Sequence, residues 1–286
     1  MRSRILLTLA LSSAVLTACS AEPDSTKIEV TTSFYPLQYA VQQIGGDRVE
    51  VASLTPPGSD AHHLELSPRQ VTALAETDLV VYLSGFQPAM DEAVAEASPT
   101  HVVDAADIAS SDPALDGNPH FWVDPRLMAE LASPIVRELT EIDPDHADEY
   151  AERAEEYERT LTDLDEGFRS GLASCERDTL IVTHAAFGYL AHSYGLTQEA
   201  IAGVEPDTEP SPARIASVTE LIRDSGVTTV FATSKPEVAM AQALAGEADV
   251  EVKLLDALES QLDPERDYAQ VMADNLALLR ESLGCK

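Results

Sequence analysis

Short apolar, β-branched runs alternate with helical stretches twice along this chain, and one long helical segment with no strand beside it separates the two series. Runs over 27–32, 48–54, 79–83 and 101–103 read as strands, and helices are predicted over 36–44, 68–76 and 88–97. Pro36, Pro68 and Pro88 stand at or near the first turn of those helices, where a missing N–H costs nothing. The pattern returns with strands over 179–183, 198–202, 228–232 and 251–255, and helices over 186–194, 212–224, 237–245 and 264–283. Alternation of this kind predicts an α/β fold of parallel sheets covered by helices. Between the series, residues 144–172 place Ala147, Tyr150, Ala154, Tyr157, Leu161, Leu164 and Phe168 three or four apart, with Asp, Glu and Arg on the other faces. A helix of that length is about 42 Å long. The expected architecture is therefore two αβ lobes joined by one long rigid helix, and Pro134 should kink the helix ahead of it. No internal repeat stands out in the sequence.

The N-terminus reads as an export signal. Arg2 and Arg4 precede an apolar run over 5–16, which is shorter than the ~20 residues a bilayer span takes. The run ends in Leu16-Thr17-Ala18-Cys19, which looks like a bacterial lipobox, so Cys19 is expected to carry lipid. The expected division is a signal peptide over 1–18, a tether over 19–26, a first lobe over 27–143, a linking helix over 144–173 and a second lobe over 174–286. Outside the cytosol the two remaining thiols, Cys175 and Cys285, are expected to pair. Closing a loop of about 110 residues is worth roughly 4–5 kcal/mol in the chain-entropy description. The formal net charge of −32 argues against nucleic acid and anionic headgroups as partners. It attracts cations without choosing among them.

The seven histidines fall into two groups. His101, His146 and His192 stand alone and read as packing or surface residues. His62 and His63 follow the strand over 48–54 through Pro56-Pro57-Gly58-Ser59-Asp60-Ala61, and His184 ends the strand over 179–183. His120 lies in a loop ahead of Asp124-Pro125, and Asp256 ends the strand over 251–255. Ligands of open parallel sheets bind at the carboxyl ends of strands. Three imidazoles and a carboxylate make a four-coordinate set that zinc accepts. Spacing alone leaves isolated loop residues as the competing reading.

Six segments narrow the choice. They are Thr32-Ser33-Phe34-Tyr35-Pro36, Ile44-Gly45-Gly46-Asp47, Pro57-Gly58-Ser59-Asp60-Ala61-His62, Asn118-Pro119-His120-Phe121-Trp122-Val123-Asp124-Pro125, Thr183-His184-Ala185-Ala186-Phe187-Gly188-Tyr189 and Glu209-Pro210-Ser211. In that order they resemble the metal-specific solute-binding proteins of ABC importers, the ZnuA/TroA-like family, from about residue 27 to the C-terminus. The resemblance implies metal held in the cleft between two lobes by His62, His120, His184 and Asp256. On the residues themselves, a water, Glu205 or Asp207 stands as an alternative to Asp256 in the fourth position. The chain departs from the family at Ala185, where Asp is frequent, and over 110–117, which holds no histidine-rich loop. A glutamate usual near Phe231 is replaced by Ala232-Thr233-Ser234.

An imidazole at His184, where manganese-type relatives tend to have a carboxylate, makes Zn2+ the expected ligand ahead of Mn2+. Ligating imidazoles must be neutral, so affinity is expected to fall below about pH 6. The expected function is extracytoplasmic capture of Zn(II), as a monomer anchored to the outer face of the cell membrane, for delivery to an ABC permease and its ATPase. The alternatives are a manganese-binding importer component and a surface metal-binding adhesin or buffer. Hydrolysis is not expected, because no general base stands at a fixed spacing from a ligand as in HExxH.

Overall fold

Two four-stranded parallel sheets with the same strand order lie on either side of one long helix. The computed structural model describes residues 27–109, 115 and 117–286; the expected export signal, Cys19 and residues 110–114 and 116 lie outside the described residues. The first half runs β1 (Ile28–Thr32), α1 (Tyr35–Gly45), β2 (Val49–Ser53), α2 (Pro68–Leu74), β3 (Leu79–Tyr82), α3 (Pro88–Ala97), β4 (Val102–Asp104) and the short α4 (Ala106–Ala109). Then come α5 (Pro125–Ala129), α6 (Ala132–Ile142) and the linking helix α7 (Ala147–Gly171). The second half runs β5 (Thr179–Val182), α8 (Gly188–Ser193), β6 (Thr197–Ala200), α9 (Pro212–Ser225), β7 (Thr229–Ala232), α10 (Val238–Ala248), β8 (Glu251–Leu254) and α11 (Tyr268–Leu283).

The sheets are ordered β2-β1-β3-β4 and β6-β5-β7-β8, so each chain half steps outward once and then crosses back. Val30 lies between Val51 and Leu79, and Val182 between Ala200 and Phe231, so equivalent strands occupy both centres. The strand order reverses beside β1 and beside β5, and a crevice forms there at the strand carboxyl ends. The expected strands are all present, with ends moved by one or two residues. The last helix starts later than expected because Asp267 is its N-cap, in a reciprocal capping box with Gln270.

Pro134 does more than kink its helix. It has no N–H to offer Glu130 four residues back, and the chain answers with tighter bonds from Glu130 N–H to Leu127 O (3.1 Å) and Leu131 N–H to Met128 O (3.2 Å). Helix α5 ends there and α6 begins, with Pro134 in its first turn.

A 3-10 turn, Pro144–His146, leads into α7, whose 25 residues extend about 37 Å. It buries Tyr150, Ala154, Tyr157, Leu161 and Phe168 and exposes its acidic faces, where Glu149–Arg153 and Asp165–Arg169 pair one turn apart. The helix touches α1, α5 and α6 of the first half and α11 of the second. Tyr39 of the first half stacks on Tyr268 of the second at 5.2 Å, and Tyr268 Oη donates to Trp122 O at 2.6 Å. One apolar core runs through both lobes beside this helix. Each sheet keeps a separate small core on its outer side. Cys175 and Cys285 are joined by a disulfide that ties the C-terminal residues to the start of the second lobe. No helix among the described residues is long and apolar enough to cross a membrane.

Candidate metal centre

His62 lies in the loop that follows β2. Asp60 Oδ1 accepts the His62 backbone N–H at 2.8 Å, and the fully buried Gln87 donates to Ala61 O at 2.7 Å, which fixes the loop from behind. His120 is held by Asn118, whose Oδ1 accepts both the His120 backbone N–H (3.0 Å) and ring Nδ1–H (2.8 Å). Asn118 also donates across the cleft to Ala185 O at 3.0 Å. His184 follows β5, and Glu259 lies in the loop after β8. All four side chains are buried.

Their inner atoms converge. Glu259 Oε1 lies 3.5 Å from His62 Nε2, 3.5 Å from His120 Nε2 and 3.1 Å from His184 Nε2, and the first two nitrogens are 3.2 Å apart. A tetrahedral zinc with bonds of about 2.0–2.1 Å puts its ligand atoms about 3.3 Å from one another. The outer nitrogens are equally regular: Nδ1 of His62 faces Glu205 Oε2 (3.2 Å), that of His120 faces Asn118 Oδ1, and that of His184 faces Glu237 Oε1 (2.9 Å). An oxygen acceptor at Nδ1 keeps that proton outward and presents the Nε2 lone pair to the common point.

The electrostatics divide the site. Burial pushes the His120 imidazole down to about 4, against the pull of Glu259. Burial would also lower His184, but hydrogen bonds to Glu237 and Glu259 outweigh it and raise the ring to about 9. Burial alone would raise both glutamates. Hydrogen bonds from His120, His184 and His62 instead hold Glu259 well below the usual range. The His184 contact, with Thr183 and Thr233, holds Glu237 at about 2.

Asp256 was expected as the fourth member, and the structure puts Glu259 there instead. Asp256 turns its Oδ1 to the backbone N–H of Leu258 at 2.8 Å and lines a cavity of about 270 Å³ beside the cluster. Burial, with Glu259 nearby, raises its carboxyl to about 6 despite the Leu258 N–H and Lys235. The two alternatives lie outside the cluster too. Glu205 sits behind His62, and Asp207 faces His63 at 3.5 Å on the rim, with Asp60 on the other side of that ring. The carboxylate missing just after Phe231 is supplied a few residues on by Glu237. Both glutamates gave a weak signal only, in that each follows a strand end in sequence.

Known proteins similar to this chain are described as zinc-binding or zinc-uptake proteins. The chain is 29% identical over 289 residues to the high-affinity zinc uptake system protein ZnuA of Bacillus subtilis (strain 168), spanning 92% of this chain and 90% of that one. It is 28% identical over 306 residues to the zinc-binding lipoprotein AdcA of Streptococcus pneumoniae (strain ATCC BAA-255 / R6), spanning 99% of this chain but only 61% of the longer relative. The crystal structure of the Zn(II)-bound ZnuA-like domain of Streptococcus pneumoniae AdcA superimposes with a TM-score of 0.77 at 29% identity, over 90% of this chain and 99% of that one. The family described as zinc-uptake complex component A, periplasmic, matches residues 30–282, and the chain belongs to it.

Proposed function

We propose that this protein captures Zn(II) outside the cytoplasm and delivers it to the permease and ATPase of an ABC importer, with His62, His120, His184 and Glu259 as the ligands. The observation that carries the reading is the meeting of three imidazoles and one carboxylate oxygen within 4.8 Å of one another, with four of the separations at 3.1–3.5 Å, near the edge length of a zinc tetrahedron, and each imidazole backed by an oxygen acceptor. Four protein donors leave no open position for an activated water, which suits a carried ion rather than a catalytic one. Three nitrogens and one oxygen favour zinc over manganese. The cavity lined by Asp60, Asp207, Lys235, Asp256 and Glu259 gives a hydrated cation a route to the centre. The lipobox-like segment supports anchoring through Cys19 at the outer face of the membrane.

Offering equimolar zinc and manganese to the purified chain, followed by elemental analysis after desalting, tests the reading. One zinc per chain with manganese left behind is the expected result. Manganese retained, or neither metal retained, overturns it. Deleting the gene is expected to give growth that fails under zinc limitation and recovers with added zinc. Mass spectrometry of the mature N-terminus is expected to find a lipid-modified Cys19.

A further inference from the structure

Asp256 lies in the cavity wall, close to the centre and outside it. We propose that Asp256 is a positioning residue: its carboxylate holds the loop that delivers Glu259 in the one conformation that turns the glutamate onto the three histidines. This rests on reading the four-donor cluster as the metal centre.

Leu258, the residue before Glu259, has φ +60° and is 1% exposed. The left-handed region costs a branched, non-glycine residue about 1–3 kcal/mol and persists only where surrounding contacts impose it. Those contacts are visible. Asp256 Oδ1 accepts the Leu258 N–H at 2.8 Å, closing a side-chain turn over the strained residue. Asn275, buried on α11, grips the Asp256 backbone twice, with its Oδ1 accepting the N–H at 3.1 Å and its Nδ2 donating to the carbonyl at 2.8 Å. Ala257 is held from both sides, its N–H on Thr233 O at 3.2 Å and its carbonyl on Trp122 Nε1 at 2.8 Å. Residues 256, 257 and 258 are thus fixed in succession, and Glu259 is the next. Without the Asp256 acceptor, the Leu258 N–H loses its partner and nothing local balances the left-handed turn. The loop then relaxes and Glu259 swings off the imidazoles.

A positioning role and a ligand role differ in what asparagine does. The Asp256→Asn change keeps an Oδ1 for the Leu258 N–H while removing the negative charge. Zinc affinity is measured by competition with a chromophoric chelator for the wild type, Asp256→Asn, Asp256→Ala, Glu259→Gln and the double variant Asp256→Ala/Glu259→Gln. Asp256→Asn is expected within about threefold of wild type. Asp256→Ala is expected to be about 10–100-fold weaker, the size of effect that supporting partners of metal ligands show. The double variant is expected within about threefold of Glu259→Gln, because both changes remove the same contact. The visible absorption of the Co(II)-loaded proteins reads the coordination directly. Asp256→Ala should shift toward Glu259→Gln, and Asp256→Asn should keep the wild-type bands. Equal losses in Asp256→Asn and Asp256→Ala, or additive losses in the double variant, overturn the positioning role. Should Asp256→Ala fail to fold, Asp256→Asn decides alone: wild-type affinity and spectrum support the role, and a loss of either overturns it. A wild-type chain that takes up no zinc overturns the metal-centre reading and this proposal with it.

Discussion

His62 and His120, from the first lobe, stand among aromatic rings, whereas His184, from the second, stands among carboxylates and hydroxyls. Phe86 meets His62 edge-on at 4.8 Å, Trp122 lies 4.9 Å from His120, and Phe34 packs edge-on against Trp122 at 4.7 Å. On the other side Glu237 bridges His184 to Thr183, Thr233 and the Ser234 N–H. The two sheets share one topology, so topology sets where the donors arrive. What the loops place around each donor sets its charge state. Burial in the aromatic half pushes the His120 imidazole down to about 4, and in the polar half the hydrogen bonds to Glu237 and Glu259 outweigh burial and raise His184 to about 9. Zinc entry in this reading is a cation exchange in the second lobe against a fixed wall in the first.

Removing His184 strikes that exchange at its centre and should have the largest effect. His184→Ala deletes a donor and leaves Glu237 and Glu259 buried without their cation. Zinc affinity is expected to fall at least about a thousandfold, or roughly 4 kcal/mol. The metal-free protein should also lose about 3–5 kcal/mol, because two carboxylates are stranded. Titration calorimetry and urea unfolding of the zinc-free protein check the two effects. A variant with unchanged zinc affinity would sink the whole constellation. One that loses affinity without losing stability would break the contrast between the halves.

Glu237→Gln leaves every donor in place and tests the rack alone. Losing the charge behind Nδ1 should weaken zinc about 10–100-fold, the range expected of a carboxylate–imidazole–metal relay. The equivalent change in the first lobe, Asn118→Ala, breaks a neutral contact to His120 and should cost less. If Asn118→Ala is the more damaging of the two, the division of labour between lobes is wrong.

The fold was legible because its signals are local and repeated. Apolar runs ending in loops marked all eight strands, and the three-or-four spacing from Tyr150 to Phe168 marked the linking helix. The three histidines were legible for the same reason, each lying in a loop or at a strand end that faces the cleft. The fourth donor was not. Asp256 and Glu259 occupy one short loop, and the one that meets the three histidines is Glu259, beyond a left-handed turn at Leu258 and an Asp256 backbone held by Asn275, nineteen residues on. Periodicity carries no trace of such contacts. Glu237 was hidden similarly, since it reaches back from the start of a helix to a histidine more than fifty residues earlier.

The pH profile sharpens the comparison further. His184 keeps its proton up to about 9 in the metal-free chain, so zinc must displace it throughout the neutral range, whereas His120, at about 4, is already neutral. A folded-state value raised by carboxylates means that lowering pH favours the proton over the metal. Affinity should therefore rise about tenfold per pH unit between about 6 and 8 and level off above about 9, a higher window than free imidazole would give. Calorimetry in buffers of different ionisation enthalpy should find about one proton released per zinc. A flat affinity from about pH 6 to 8 would show that His184 binds zinc from the neutral state and that the exchange does not occur.

The smallest effect should come from the aromatic wall. Phe86 touches the rings of His62, His120 and Trp122, and it carries no donor and no charge. Phe86→Leu keeps the site dry and apolar and removes only the edge-to-face contacts, worth about 0.5–1.5 kcal/mol each. If the wall acts through dryness and shape, zinc affinity should drop no more than about tenfold and the pH slope should not move, since His184 lies in the other half. Phe86→Asn is the sharper variant, because it admits water beside His62 and His120 while leaving the polar rack intact. It should weaken zinc more than Phe86→Leu, still without moving the slope. A changed slope in either variant would mean that the aromatic wall also governs the protonation of His184, and the two halves would have to be treated as one coupled unit.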